Sequence, residues 1–328
     1  MRTRHATLRR NGRLAPRHQR GIAMLVAILL VAIATILAAS IGFNSAMAAR
    51  RGTAALALDQ SVLVAEAAEA LAAYALREDI KASNKEDHAH EQWGQPVGPV
   101  EVLPGITLEA YLEDATSRFN LNSLVGPDDK VDEVALAQLE RLMQMVNVEP
   151  KWASMIADWI DPDTYPLQDG AEDSAYAAQD PPYHPPNTYI TSVSELLALP
   201  GFGRERYQRL APYVTALPRD ATINTCTAAG PVLDALIGEG HAEFGVDAER
   251  LAKDRESGCF PTLDQFEQSF GGDPAAWNDV SQRVSQTSKY FRLTSIVTIG
   301  TAEFALYSLL QRDDSRQVRL LMRSFTPD

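Results

Sequence analysis

The hydrophobic pattern changes character along the chain. From Ile22 to Ala49 no residue is charged, and Ile22–Phe43 is dominated by Ile, Leu, Val and Ala. An unbroken apolar run of about 20 residues is the length of a helix that crosses a bilayer. From Ala54 to Arg77 apolar and charged positions interleave. Leu56, Val62, Leu63, Ala67, Ala70, Leu71 and Tyr74 recur at roughly helical spacing, with Glu66, Glu69 and Arg77 between them. Ala, Leu and Glu are strong helix formers, and only Gly42 and Gly52, with no proline, interrupt the stretch between Ile22 and Trp93. One helix from Ile22 to about Ile80 is therefore predicted, on the order of 90 Å long at 1.5 Å rise per residue. A coiled-coil stalk fits less well, because strict heptads are not sustained.

Lys85 to Gly105 is polar and rich in Gly and Pro, the composition of a linker. Ile106–Glu113 partly alternates apolar and polar residues as a half-buried strand does, and Arg118–Asn122 reads as its continuation. Further strand-like runs follow at Tyr290–Ile299, Glu303–Arg312 and Val318–Phe325, and Asp313-Asp314-Ser315 is a turn signal that makes the last two a hairpin. Between them, residues 121–285 carry helical periodicity with caps and proline breaks. The simplest topology is α+β: one antiparallel sheet from residues 106–120 and 290–325, interrupted by a large helical insertion. Inside the insertion lies a weak repeat. Phe119-Asn120-Leu121-Asn122-Ser123-Leu124 precedes a helix predicted over Val134–Val146, and Ile223-Asn224-Thr225-Cys226-Thr227-Ala228 precedes one over Val232–Ile237. Such polar clusters can cap a helix. Ser192 with Glu195 forms a capping-box pattern, echoed at Pro261–Phe266.

Charge sharpens the picture at the N-terminus. The net charge is −13, yet residues 1–21 hold seven arginines and no acid, which leaves −20 for the remainder. Arginines before the apolar run place the N-terminus in the cytoplasm and the rest outside. An ordinary signal peptide would have a shorter apolar region, about 7–15 residues; a plain single-pass anchor is the other simple reading. The junction Gln19-Arg20-Gly21-Ile22-Ala23-Met24 is more particular: a basic leader ends in one glycine and the apolar run begins at the next residue. This resembles the signal of type IV pilins and type II secretion pseudopilins, which prepilin peptidase cuts after the glycine. The resemblance implies cleavage between Gly21 and Ile22 and methylation of the new N-terminus.

Further motifs narrow the likeness. Asn120-Leu121-Asn122-Ser123-Leu124, Asp158-Trp159-Ile160-Asp161-Pro162-Asp163, Gly170-Ala171-Glu172-Asp173, Pro181-Pro182-Tyr183 and Ser192-Val193-Ser194-Glu195-Leu196 resemble, in order and spacing, the minor pseudopilin K of the type II secretion system, and the likeness runs from the leader to the end. It implies a pilin-like long N-terminal helix packed on an antiparallel sheet, with a large inserted α-helical domain. The divisions expected are a leader over 1–21, a transmembrane half-helix over 22–44, a periplasmic half over 45–83, a linker and first strands over 84–120, the insertion over 121–285 and the closing strands over 286–328. It also implies a single-pass protein of the Gram-negative inner membrane with most of its mass in the periplasm. That subunit caps the pseudopilus tip with minor pseudopilins I and J, secreted proteins are further candidate partners, and calcium is bound in the head.

The residues themselves offer matching chemistry. Asp161, Asp163, Asp169, Glu172 and Asp173, with Asp158 and Asp180 nearby, form an acidic loop stiffened by Pro162. Calcium takes six to eight oxygens at about 2.3–2.6 Å, which this loop can supply, although it lacks the EF-hand ladder. A solvated acidic loop and a glycosidase-like carboxylate pair are the other readings. Cys226 and Cys259 are the only cysteines. In an oxidising periplasm they are expected to form a disulfide, the alternative being two buried thiols. Leu199-Pro200-Gly201-Phe202-Gly203-Arg204-Glu205-Arg206 resembles a helix-hairpin-helix, which raises a DNA-uptake function; the acidic body argues against a nucleic-acid partner. The six histidines show no metal spacing, and nucleotide and hydrolase motifs are absent, so no enzymatic activity is expected. Most pilins carry a glutamate at the fifth mature residue, and here that position, counted from Ile22, is Val26.

The mature protein is expected to start at Ile22, and replacing Gly21 by a bulky residue should block processing. Mass spectrometry that finds any other N-terminus would overturn this assignment.

Overall fold

The structure, a computed structural model, describes residues 19–83, 86–241, 243–313, 315 and 317–327; leader residues 1–18 and Asp314 of the expected turn lie outside that set. The chain divides into two compact units, residues 1–60 and 61–328. In the first, the described residues belong to a single helix, α1 (Gln19–Ser83), whose residues from Gly21 to Gln60 are almost all exposed. Among the described residues, α1 is the one helix long and apolar enough to cross a membrane. An apolar surface of that extent is stable in lipid rather than in water.

The second unit begins on the same helix. From Ser61 onward α1 buries Ala65, Ala68, Ala72 and Leu76, which share one helix face. The three alanines let the helix lie close to the sheet, where they and Leu76 meet Ile106, Leu108, Ala110, Phe291, Leu293, Val297, Leu306 and Leu310. β1 (Val97–Leu103) and β2 (Ile106–Asp114) follow. The insertion then runs through β3 (Phe119–Asn120), α2 (Glu133–Met145), α3 (Trp152–Ile160), α4 (Asp173–Ala177), α5 (Gly203–Leu210), β4 (Val214–Thr215), β5 (Ile223–Asn224), α6 (Gly230–Ile237), α7 (Ala248–Asp254), α8 (Leu263–Gln268), α9 (Pro274–Ser281) and β6 (Val284–Ser285). The chain returns to the sheet as β7 (Tyr290–Ile299), β8 (Ala302–Arg312) and β9 (Val318–Ser324). The five-stranded order is β1-β2-β7-β8-β9, antiparallel throughout. β2 and β7 pair along their whole length, from Ile106 opposite Ile299 to Asp114 opposite Phe291, so the insertion leaves and re-enters at neighbouring points.

Two sequence readings need correction. The Gly/Pro-rich stretch before Gly105 is not all linker, because Val97–Leu103 forms an edge strand. An edge strand tolerates Pro99 because the register slips between Val97 and Val100. Arg118–Asn122 does not continue β2 in the main sheet either. The Asp114 carboxylate accepts from the Thr116 amide and caps a tight turn at Ala115–Ser117. That turn sends Phe119–Asn120 into a short parallel pair with Val214–Thr215.

The weak repeat has a structural basis, different from the one expected. β3 pairs with β4 and β5 with β6, both parallel and two residues long. In each, an asparagine closes the turn that follows: Asn120 Oδ1 accepts from the Asn122 amide, Asn224 Oδ1 from the Cys226 amide. The asparagines therefore cap turns, whereas α2 is capped by Asp132 and α6 starts without a side-chain cap. The insertion has its own core, built on Leu121, Leu139, Met143, Ile156, Tyr176 and Phe202 among others. Cys226 is bonded to Cys259 across 33 residues.

Unreduced, unfolded protein is expected to show no thiol that labels, and losing the bond through a double serine substitution should cost about 3 kcal/mol of stability in the loop-entropy account. Two reactive thiols per chain would refute the pairing.

Candidate metal centre

The acidic loop begins at the end of α3. That helix buries eight of its nine residues, among them Trp152, Ile156, Trp159, Ile160 and Asp158. Asp158 is fully buried, and both its oxygens lie 3.2 Å from the Leu167 amide, which folds the loop back over the helix end. A Cβ on residue 170 would lie 1.9 Å from Asp158 Oδ2, so the return is possible only with Gly170. Asp161 ends α3 in extended conformation, Asp163 Oδ1 accepts from the Tyr165 amide at 2.7 Å, and Asn187 Nδ2 donates to the Asp163 carbonyl at 3.0 Å. Glu172 stands just before α4.

These constraints bring Asp161, Asp163 and Glu172 together, one carboxylate oxygen from each lying within 4.8 Å of the others. Both Glu172 oxygens and Asp161 Oδ1 are buried without a hydrogen-bond donor. Buried, donorless carboxylate oxygens are costly, and converging ones are the hard-oxygen donor set that calcium prefers. The three carboxylates fit such an ion. Electrostatics agree. Burial, followed by repulsion from Asp158, Asp161 and Asp163, pushes Glu172 up to about 7. Burial, eased by the Leu167 amide and reinforced by Asp161, pushes Asp158 up to about 6. Burial and then Asp163 push Asp161 up to about 6.

Two residues expected in the site are not in this group. Asp173 pairs with His184 Nδ1 at 3.0 Å on the exposed side of α4. Asp169 sits in the left-handed region at φ +64°, serving the turn into Gly170. Sequence reasoning also did not foresee the loop-locking role of Asp158; Gly170 twelve residues on was its only trace. The other residue pairs fall elsewhere. Gly21 and Ile22 are exposed in the first turns of α1. The hairpin-like segment is a packing unit: Phe202 is fully buried against Trp152, rings 5.3 Å apart, and Arg206 binds both Glu149 oxygens while lying over the Trp152 ring. A second carboxylate group, Asp79, Asp87 and Glu91, has Arg312 bonded to two of its members.

Comparison with known proteins decides the family. Residues 117–219 match a family model for protein K of the type II secretion system. Over 94% of this chain and 93% of its relative, the sequence is 33% identical to type II secretion system protein K of Pseudomonas aeruginosa PAO1. The chain belongs to the type II secretion system protein K family. Protein K of Klebsiella pneumoniae is 31% identical over 90% of this chain and 93% of its own. A chain of the GspK-GspI-GspJ complex from the type 2 secretion system of enterotoxigenic Escherichia coli superimposes with a TM-score of 0.72 at 27% identity, covering 84% of this chain and 98% of that one. Protein K is a structural component of the secretion machinery, a minor pseudopilin, and the apolar half of α1 fits a single-pass membrane anchor.

Calcium is expected to raise the melting temperature over that in EDTA, by about 2.7 kcal/mol of stabilisation at a hundredfold excess over the dissociation constant. Glu172→Gln should abolish the difference. Because the raised carboxyls must shed protons to hold the ion, the calcium effect should shrink as pH falls below about 7. In EDTA the sign reverses: groups titrating higher in the folded chain stabilise it at acidic pH and lose that contribution as pH rises through about 6–7. Equal melting temperatures with calcium and EDTA at pH 7.5 would remove the site.

Proposed function

We propose that this chain caps the periplasmic tip of the pseudopilus, entering assembly first together with minor pseudopilins I and J. The observation that carries this reading is the insertion: residues 115–289 interrupt a head built, among the described residues, on a five-stranded sheet and α1. A bulk of that size is hard to accommodate in a closely packed, repeating shaft, whereas a terminal position leaves it room. Val26 supports the same reading. A glutamate at this depth is costly in lipid, about 2.5–3.5 kcal/mol on insertion scales, unless it meets a partner charge. The first subunit in has no earlier amine to meet. The solved relative from Escherichia coli occurs in a complex with I and J subunits.

On this reading prepilin peptidase removes residues 1–21, residues 22–44 stay in the inner membrane, and the head stands in the periplasm with calcium held by Asp161, Asp163 and Glu172. Secreted proteins would meet the tip. A DNA-uptake role gains little support, since Arg206 and Arg209 are committed to Glu149 and Glu205.

Single cysteines at the exposed α1 positions Leu63, Leu71 and Tyr74 provide the test. Cross-links are expected to I- and J-type subunits, with few between copies of this chain. A repeating ladder of self-cross-links would make it a shaft subunit.

A further inference from the structure

The second carboxylate group lies where α1 ends against the sheet. Asp79 comes from α1, Asp87 and Glu91 from the segment after it, and one oxygen of each lies within 4.8 Å of the others. Asp87 is 1% exposed and the Arg312 side chain 6%. Arg312, the last residue of β8, bonds Asp87 Oδ2, reaches Asp79 Oδ2 at 3.4 Å, donates to the Ser288 carbonyl at 2.9 Å and stacks on Phe291. Three carboxylates thus surround one guanidinium in a poorly solvated place, and the balance stays negative.

The carboxylates are not equivalent. Asp87 Oδ2 also accepts from the Ser288 amide at 2.7 Å. Glu91 Oε2 accepts from the His88 amide at 3.0 Å and Trp93 Nε1 at 2.8 Å. Both are therefore held in place as acceptors. Asp79 has the long contact to Arg312 and sits beside Asp87. Among the described residues, the charged groups facing it are Asp87 and Glu91 from the following segment and Arg312 from β8; the His88 ring lies beside Gly258 instead.

We propose that this cluster is a proton-binding latch, in which one proton held between the carboxyls of Asp79 and Asp87 fastens the end of α1 to the sheet. A proton suits the site better than a metal ion because a guanidinium already occupies it. Burial comes first among the causes that push Asp79 up to about 6, then Glu91 and Asp87, with Arg312 opposing. The sign follows. A carboxyl titrating higher in the folded chain stabilises the fold below its ordinary pH range and loses that contribution as pH rises through about 6. The latch is tight at acidic pH and slackens above it. Ser288 relays the change: its hydroxyl bonds Asp114 at 2.6 Å and receives a bond from Asn224 at 2.8 Å, so the root of the insertion shares the network.

The test uses the full chain in detergent with saturating calcium, melted between pH 5 and 8 as wild type and as Asp79→Asn, which imitates the protonated carboxyl. The two should coincide at pH 5, and the variant should melt about 2–4 °C higher at pH 8. Parallel curves, or a variant less stable at every pH, would overturn the latch. A gap at pH 8 that is absent in calcium and opens only when calcium is chelated would assign the cluster a cation and overturn it too. As a measurement on the unaltered fold, the carboxyl carbon resonance missing from Asp79→Asn should titrate near 6 in wild type; a midpoint at about 4, the ordinary aspartate value, would refute it.

Discussion

The architecture hangs on the buried carboxylate of Asp114. It ends β2, where the chain leaves the sheet, and it collects donors from every segment that must meet there. The amide and hydroxyl of Thr116 bind it from the departing strand, the Ser288 hydroxyl from the returning one, and Asn224 Nδ2 and the Thr227 hydroxyl from the middle of the insertion. Burial pushes its carboxyl up, and the bonds from Ser288, Thr116 and Thr227 pull the other way. A sheet accepts an insertion between adjacent strands only if the two ends of the inserted chain stay a strand spacing apart. Here a single side chain enforces that closeness, with backbone pairing of Asp114 to Phe291 beside it.

Much of this was legible from the residues. The apolar run and its amphipathic continuation gave α1, and the period-two runs near the C-terminus gave β7, β8 and β9, because lipid, helix and sheet each impose a distinct periodicity. β1 was hidden by Gly98 and Pro99, residues that exclude a central strand but not a slipped edge. The departure at Asp114 was hidden because a capping aspartate and an alternating strand look alike until the turn is seen.

The acidic loop was legible as composition and not as geometry. Seven acids between Asp158 and Asp180 gave no means to say which converge. Convergence depends on Asp158 binding the Leu167 amide and on the absence of a side chain at Gly170. Arg312 was less visible still. It reads as an ordinary charge closing a strand, and only the packing of β8 against the end of α1 and the segment after it brings carboxylates to it.

The position of the insertion also has a kinetic consequence. β2 and the central strand β7 are separated by residues 115–289, and contacts that far apart in sequence form slowly because the intervening chain must first be ordered. An insertion with its own core and its own disulfide can fold first and turn that long loop into a rigid bridge whose ends already touch. A chain that folds in this order closes its sheet last, on a prepared template, and leaves α1 without its packing face until the inserted domain is complete.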